Sequence, residues 1–377
     1  MTIRPTRVPS SDHRAHLCAL LRGDLAAPDA AADLLTLSVR HRVHVLLAEA
    51  LQRSGPRSLE EHMPGLRRIV RQEAVKEWAQ AADVRSLLTG LAAENVRPVL
   101  FKGAALAYTC YPQPFLRPHD DVDVLIRRDE VPIVRQTLER AGYEPLNSTD
   151  GERVTHQFQY ARRVSGMACV YDFHWRLANP ELFANLLSFD DIANRAVPVP
   201  ALGDHARAPC DMHALFIACI HRVAHHPHHN DGDDLIWLYD IHLLAARLGP
   251  DMWREFQELA SRTRTRAICL KGLESAEEAF GTQVSPQTLQ ALTTADTEPS
   301  TAFLGGSMRT IDVELSNLRT LSGWRSRLEF VWQHLFPNPR YMLASYGANP
   351  VWLPVLYVHR IIRGAIRWLV PSHGPRS

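Results

Sequence analysis

Residues 121–126 read Asp-Val-Asp-Val-Leu-Ile, and few backbones suit that order. Its period of two and its β-branched residues specify a β-strand. On such a strand Asp121 and Asp123 project from one face, while Val122, Val124 and Ile126 project from the other. The apolar face requires a core to cover it. The acidic face is harder to satisfy, because Asp is disfavoured in strands and like charges on one face repel. A divalent cation relieves the repulsion: Mg²⁺ is held by one or two carboxylates together with substrate phosphates. The plainer alternative is an edge strand whose aspartates face water.

The surrounding chain places this strand in a short α/β stretch. Arg97 to Phe101 is an apolar run, and the small-residue segment after Lys102-Gly103 starts a helix. Glu130 to Ala141 is an amphipathic helix closed by Gly142 at the C′ position. Strand-like runs follow at Thr155–Arg162 and Ala168–His174. Residues 13–95 and those beyond about 210 carry helical periodicity, punctuated by Pro64-Gly65, a breaker-rich stretch at 281–307, and Pro337, Pro339 and Pro350. The predicted class is α+β. A small mixed-sheet core at residues 96–205 lies between an N-terminal helical region (1–95) and a C-terminal helical region (206–377).

Composition narrows the function classes. With 42 Lys+Arg against 41 Asp+Glu and 46% hydrophobic residues, the 377-residue chain is built to pack. Its net charge of +1 argues against nucleic acid as the main partner, although Arg67, Arg68 and Arg71, or Arg360, Arg363 and Arg367, offer local basic tracks. Lysine occurs only at 76, 102 and 271. Lys76 and Lys271 read as residues of ordinary helical faces. Six scattered cysteines without a CxxC pair, and an N-terminus without an apolar signal segment, point to a cytoplasmic protein. No transmembrane segment is expected. The best stretch, Val351–Val370, is interrupted by Pro354, His359, Arg360, Arg363 and Arg367. It reads as an amphipathic helix packed on its own domain in preference to a membrane-surface helix.

Two further features reinforce the acidic strand. In Cys-Val-Tyr-Asp-Phe-His-Trp (169–175), Asp172 and His174 share one strand face opposite Tyr171, Phe173 and Trp175. A third carboxylate on a neighbouring strand completes a two-metal clamp of the kind that serves phosphoryl or nucleotidyl transfer. Upstream, the strand–helix junction at Phe101-Lys102-Gly103-Ala104 offers backbone N–H groups for phosphate, with Gly103 allowing close approach and Lys102 supplying a point charge. Ser-His-Asp and Cys-His catalysis find no local signature.

These motifs together (Lys-Gly-Ala-Ala-Leu, Leu-Arg-Pro-His-Asp-Asp-Val-Asp-Val-Leu-Ile, then Asp-Phe-His-Trp) resemble the nucleotidyltransferase superfamily. Within it they resemble a bacterial family of uncharacterised nucleotidyltransferases (NTP_transf_5 type), over about residues 35–365. The resemblance implies that Asp121, Asp123 and Asp172 hold Mg²⁺ or Mn²⁺. It implies that Lys102, Gly103, Ala104 and Arg117 serve the nucleotide, ATP or another NTP. His221, His225, Trp237 and Asp240 match the family's helical region, so His221 and His225, with His174, are expected to orient groups near the cleft. Asp120 stands where relatives often carry Gly. Ala104 replaces the superfamily's usual Ser or Gly, losing a hydroxyl but keeping the N–H. The reaction implied is transfer of NMP, AMP from ATP in the first instance, to a hydroxyl or similar group of a small-molecule or protein acceptor. The alternatives are a catalytically weak nucleotide-binding or protein-interaction module of the same fold, and a nucleotidyltransferase acting on nucleic acid. The run from His226 to Asp234 around Pro227 and Gly232 reads as a solvated loop.

Overall fold

The computed structural model describes residues 11–24, 31–54, 65–146, 155–225, 233–294, 297–304, 310–347 and 349–369. A mixed sheet of five strands lies at its centre: β1 (Val99–Phe101), β2 (Asp121–Leu125), β3 (Glu144–Pro145), β4 (Gln157–Val164) and β5 (Met167–His174), in the order β1-β2-β5-β4-β3. Only the β2–β5 pair is parallel. The β4–β5 hairpin turns through Ser165 and Gly166, both at positive φ (50° and 84°), the combination a tight two-residue hairpin requires. That turn fixes the register of β5, and so which of its residues meet β2. The α+β class is as the sequence predicts.

The longer helices are α1 (Ser11–Arg22), α2 (Ala31–Arg40), α3 (His44–Ser54), α4 (Leu66–Ala93), α5 (Lys102–Thr109), α6 (Val131–Arg140), α7 (Asp211–His225), α8 (Leu235–Ala245), α9 (Pro250–Arg262), α10 (Arg266–Phe280), α11 (Thr310–Thr320), α12 (Trp324–Leu335), α13 (Pro339–Tyr346) and α14 (Leu353–Leu369). Gly142 (φ 79°) ends α6 in the left-handed conformation expected of it. The sheet divides two apolar cores. Val122, Val124, Tyr171 and Phe173 face Leu87 and Leu91 of α4 and Val134 and Leu138 of α6. Phe101 and Leu125 belong to the other core, where α1–α3 and α7–α10 meet through residues such as Leu34, Leu47, Phe216 and Leu244. Helices from both ends of the chain therefore share one core. The acidic side of β2 faces the same way as Leu125, toward that helical mass.

A buried carboxylate ties the smaller core together. Asp83 of α4, its side chain wholly enclosed, accepts hydrogen bonds from the Tyr171 hydroxyl (2.5 Å), the Tyr143 hydroxyl (3.2 Å) and the Arg162 guanidinium. Arg162 in turn lies over the Tyr143 ring, 4.5 Å from its centroid. One helix is thereby fastened to β4, to β5 and to the segment after α6.

At the C-terminal end the expected packing is met on one side of the helix only. Leu353, Leu356 and Tyr357 of α14 are partly covered, and Tyr357 donates to the Pro337 carbonyl at 2.7 Å. Val355, Val358 and Ile362, which a packed terminal helix would hide, are exposed. Periodicity alone specifies an apolar face and says nothing of what covers it. Among the described residues no helix is long and apolar enough to cross a membrane.

Removing one partner of a buried, hydrogen-bonded ion pair strands the other charge. Asp83→Ala should therefore lower the free energy of unfolding by about 3–5 kcal/mol in urea denaturation. An unchanged midpoint would contradict the bracing role assigned to Asp83.

Candidate active site

Parallel pairing of β2 with β5 sets Asp121 against Val170, Asp123 against Asp172 and Leu125 against His174. Two strand positions nearly fifty residues apart in sequence are thus brought side by side. Asp123, Asp172 and His174, all buried, present ligand atoms within 4.8 Å of one another. Asp121, half-buried at the start of β2, lies outside that tightest group but near enough for its charge to act on Asp172.

Each carboxylate is held differently. Asp123 Oδ1 accepts from Lys102 Nζ and from His174 Nε2, both at 2.8 Å. Burial alone would raise its pKa, but the Lys102 ammonium and the His174 hydrogen bond outweigh that and hold it well below the usual carboxylate range. Asp172 takes amide donors on both oxygens, Gln159 Nε2 at 2.7 Å from the facing position of β4 and Gln157 Nε2 at 3.0 Å from the position that faces His174. Burial, then the charges of Asp121 and Asp123, nevertheless push its pKa up to about 7. Asp121 is also raised, by burial and then by Asp123. Burial and the Lys102 charge hold His174 down to about 4, so it is neutral near pH 7. Its Nε2–H donates to Asp123, while its buried Nδ1 has no hydrogen-bond partner among the described residues.

Lys102 opens α5 with φ 53°, a left-handed conformation that costs a non-glycine residue about 1–2 kcal/mol. This turn aims its ammonium back across the sheet to Asp123. Gly103 has a packing reason to lack a side chain: a Cβ there would lie 3.0 Å from Arg117 Nη1 and 3.3 Å from His119 Cβ. The Ala104 side chain belongs to the smaller core, behind the sheet.

Arg117 is committed elsewhere than to the acidic strand. It forms a buried two-pronged pair with Asp240 of α8, Nε to Oδ1 at 3.1 Å and Nη2 to Oδ2 at 2.7 Å, and donates from Nη1 to the Pro118 carbonyl at 2.9 Å. The Tyr111 hydroxyl also donates to Asp240, at 2.7 Å. Burial lowers the Arg117 pKa and the Asp240 carboxylate more than restores it, leaving it above its ordinary value. This pair pins the segment before β2 to the helical region.

Beside it, α5, α7 and α8 enclose a narrow cleft walled by Lys102, Arg117, His221, Trp237 and Asp240 with Leu106 and Ile217. His221 and Trp237 meet edge to face, 5.2 Å between centroids. Lys102 belongs to both the cleft and the carboxylate centre; the three aspartates do not line the cleft. The side chain of His225 and the run from His226 to Gly232 lie outside the described residues.

Residues 28–281, more than half of the chain, match a family model described as an uncharacterised nucleotidyltransferase. The chain belongs to this family. No curated protein matches it. The family's matched range contains the whole sheet, the carboxylate centre and the cleft; α11 to α14 lie beyond it. Membership in a nucleotidyltransferase family supports a transferase and a general role in nucleotidyl transfer.

Three of this family member's site features lie beyond what the sequence alone predicts. Gln157 and Gln159 alternate along β4 in step with Asp172 and His174 of β5, a period-two polar pattern that marks a shared face once the hairpin is recognised. The third is Lys76. Assigned by periodicity to an ordinary helical face, it donates from α4 to the His119 carbonyl at 2.7 Å and to Asp120 at 3.3 Å. It thus anchors the two residues that lead into β2.

The donor set suits a hard divalent cation: clustered carboxylates, two of them with raised pKa values, beside one neutral imidazole. A cation binding here must displace the proton that Asp172 carries below about pH 7. Calorimetric Mg²⁺ or Mn²⁺ affinity should therefore rise roughly tenfold between pH 6 and pH 8, a span centred on that titration. Affinity that is flat over this range would contradict the assignment of Asp172.

Proposed function

We propose that residues 96–205 form the catalytic core of a metal-dependent nucleotidyltransferase. In this reading it moves NMP, AMP from ATP in the first instance, onto a hydroxyl or similar group of a small-molecule or protein acceptor. The observation that carries the reading is the register of β2 and β5, which sets Asp123 opposite Asp172 while Lys102 reaches the same point from the first turn of α5.

Asp121, Asp123 and Asp172 are the residues that would hold Mg²⁺ or Mn²⁺, and the ion when bound supplies charge neutralisation along the triphosphate. The chain's own groups divide the remaining work. Lys102 is free to exchange its carboxylate partner for a phosphate oxygen, since both are anionic acceptors for the same ammonium. The backbone N–H groups at Gly103 and Ala104 suit the same phosphates. Asp172, fixed by two glutamine amides, is suited by position to take the proton of an acceptor hydroxyl. His174 keeps Asp123 oriented through Nε2. Arg117 acts from behind, holding the approach to β2 through Asp240.

A second reading has one observation in its favour. The Lys102 ammonium already offsets the Asp123 charge and His174 hydrogen-bonds the same oxygen, so the site is electrostatically tolerable without a cation. A binding module with little turnover would keep that arrangement.

Labelled ATP separates these readings. With Mg²⁺ and a cell extract as acceptor source, label from the α-phosphate should appear on an acceptor. Asp121→Asn with Asp123→Asn should abolish that transfer by more than about a hundredfold, beyond the loss usual for outer-shell partners. Transfer of the γ label alone would identify a kinase and end the nucleotidyl reading. Nucleotide binding without transfer of either label would favour the binding module.

A further inference from the structure

Helices α12 to α14 carry a surface that nucleotidyl transfer does not use. Between Trp324 and Leu369 the chain has six arginines and one acidic residue, Glu329. This stretch holds a charge of +5 in a chain whose total is +1, so its basic character is a local feature of these helices.

The same helices leave large apolar side chains uncovered. On α12, Trp324 (69% exposed), Leu328, Val331 and Trp332 (60%) follow i, i+4, i+7, i+8 spacing and share a face. Val351 (82%) precedes α14 and begins a second stripe through Val355, Val358 and Ile362, at i, i+4, i+7, i+11. The stripes are connected. Trp332 packs on Phe336 with centroids 4.4 Å apart, and Phe336 packs on Tyr357 of α14 at 5.5 Å. Arg325, Arg327 and Arg363 stand exposed beside these residues, and α14 contains no acidic side chain.

Protein–protein interfaces enrich arginine and tryptophan as well, so the charge decides the partner: six arginines against one acidic residue around aliphatic stripes suit an extended anionic surface. Tryptophan concentrates at the boundary of lipid and water. Helices with an apolar face and a basic polar face lie in the plane of that boundary, and anionic headgroups attract clustered basic side chains. We propose that the α12–α14 face docks on a bilayer bearing anionic phospholipid, the helices lying flat on its surface. No helix need cross, and among the described residues none is long and apolar enough to do so. The inference is independent of the chemistry proposed above.

The test is sedimentation of the full chain with phosphatidylcholine vesicles, pure or mixed with equal parts of phosphatidylglycerol. The protein should pellet with the mixed vesicles, bind pure phosphatidylcholine far more weakly, and release as salt is raised. Arg325→Glu with Arg363→Glu should weaken partitioning at least tenfold, since each basic residue near such a surface contributes roughly fivefold. Val355→Ser with Val358→Ser and Ile362→Ser should also abolish pelleting. All these side chains are exposed, so both variants should keep the parent melting temperature. Failure to pellet with either vesicle, or undiminished pelleting of the charge-reversed variant, would overturn the proposal. So would a lipid-free dimer, seen by light scattering, that the serine variant dissociates; that would assign the face to a second copy of the chain.

Discussion

Two carboxylates stand next to each other on adjacent parallel strands, both withdrawn from water, and much of the architecture follows from keeping that pair in place. Asp123 and Asp172 share a ladder position. In a low-dielectric setting their repulsion is far stronger than it would be in water. The protein divides the cost between them. Asp123 stays ionised because Lys102 and His174 both donate to one of its oxygens. Among the described residues Asp172 receives only neutral amide donors, and its pKa climbs to about 7. Two like residues in one site therefore have different proton affinities, the condition under which one serves as a fixed anion and the other exchanges a proton.

The supports of this pair reach through the molecule. The Ser165-Gly166 turn sets the β4–β5 register, which aligns both glutamines with Asp172 and His174. Asp83 holds α4 against the back of the same strands through Tyr171 and Arg162. On the other side, the Arg117–Asp240 pair joins the approach to β2 to the helical region, and the missing side chain of Gly103 makes room for the guanidinium. Lys76 fixes the intervening turn from α4. Helices from the two ends of the chain meet in one core against the acidic side of the sheet. The cleft that Lys102 shares is walled by α5 together with α7 and α8.

Much of this could be read from sequence where the information is local. Alternation in Asp121–Ile126 and in Cys169–Trp175 assigns each side chain to its face, and both assignments agree with the cores observed. Gly142 is legible as a helix terminator for the same reason. Pairings across long separations are not. Nothing in the residues near Arg117 specifies Asp240, more than a hundred positions later, as its partner, nor can the period of α4 show that Lys76 meets the loop before β2. Ala104 is a related case. Sequence identifies the lost hydroxyl, whereas only the fold shows that this side chain points into the smaller core. The terminal helix packs on its neighbours through one side only, because amphipathicity establishes that a face is apolar without establishing that anything lies against it.

The central claim is that this carboxylate centre is a cation site. Crystals grown with Mn²⁺ and a non-hydrolysable ATP analogue would test it through anomalous scattering. The account predicts a peak bound by Asp123 and Asp172, with the Lys102 ammonium moved from Asp123 to a phosphate oxygen. Crystals with nucleotide bound, no anomalous peak at the aspartates and Lys102 still paired to Asp123 would contradict it.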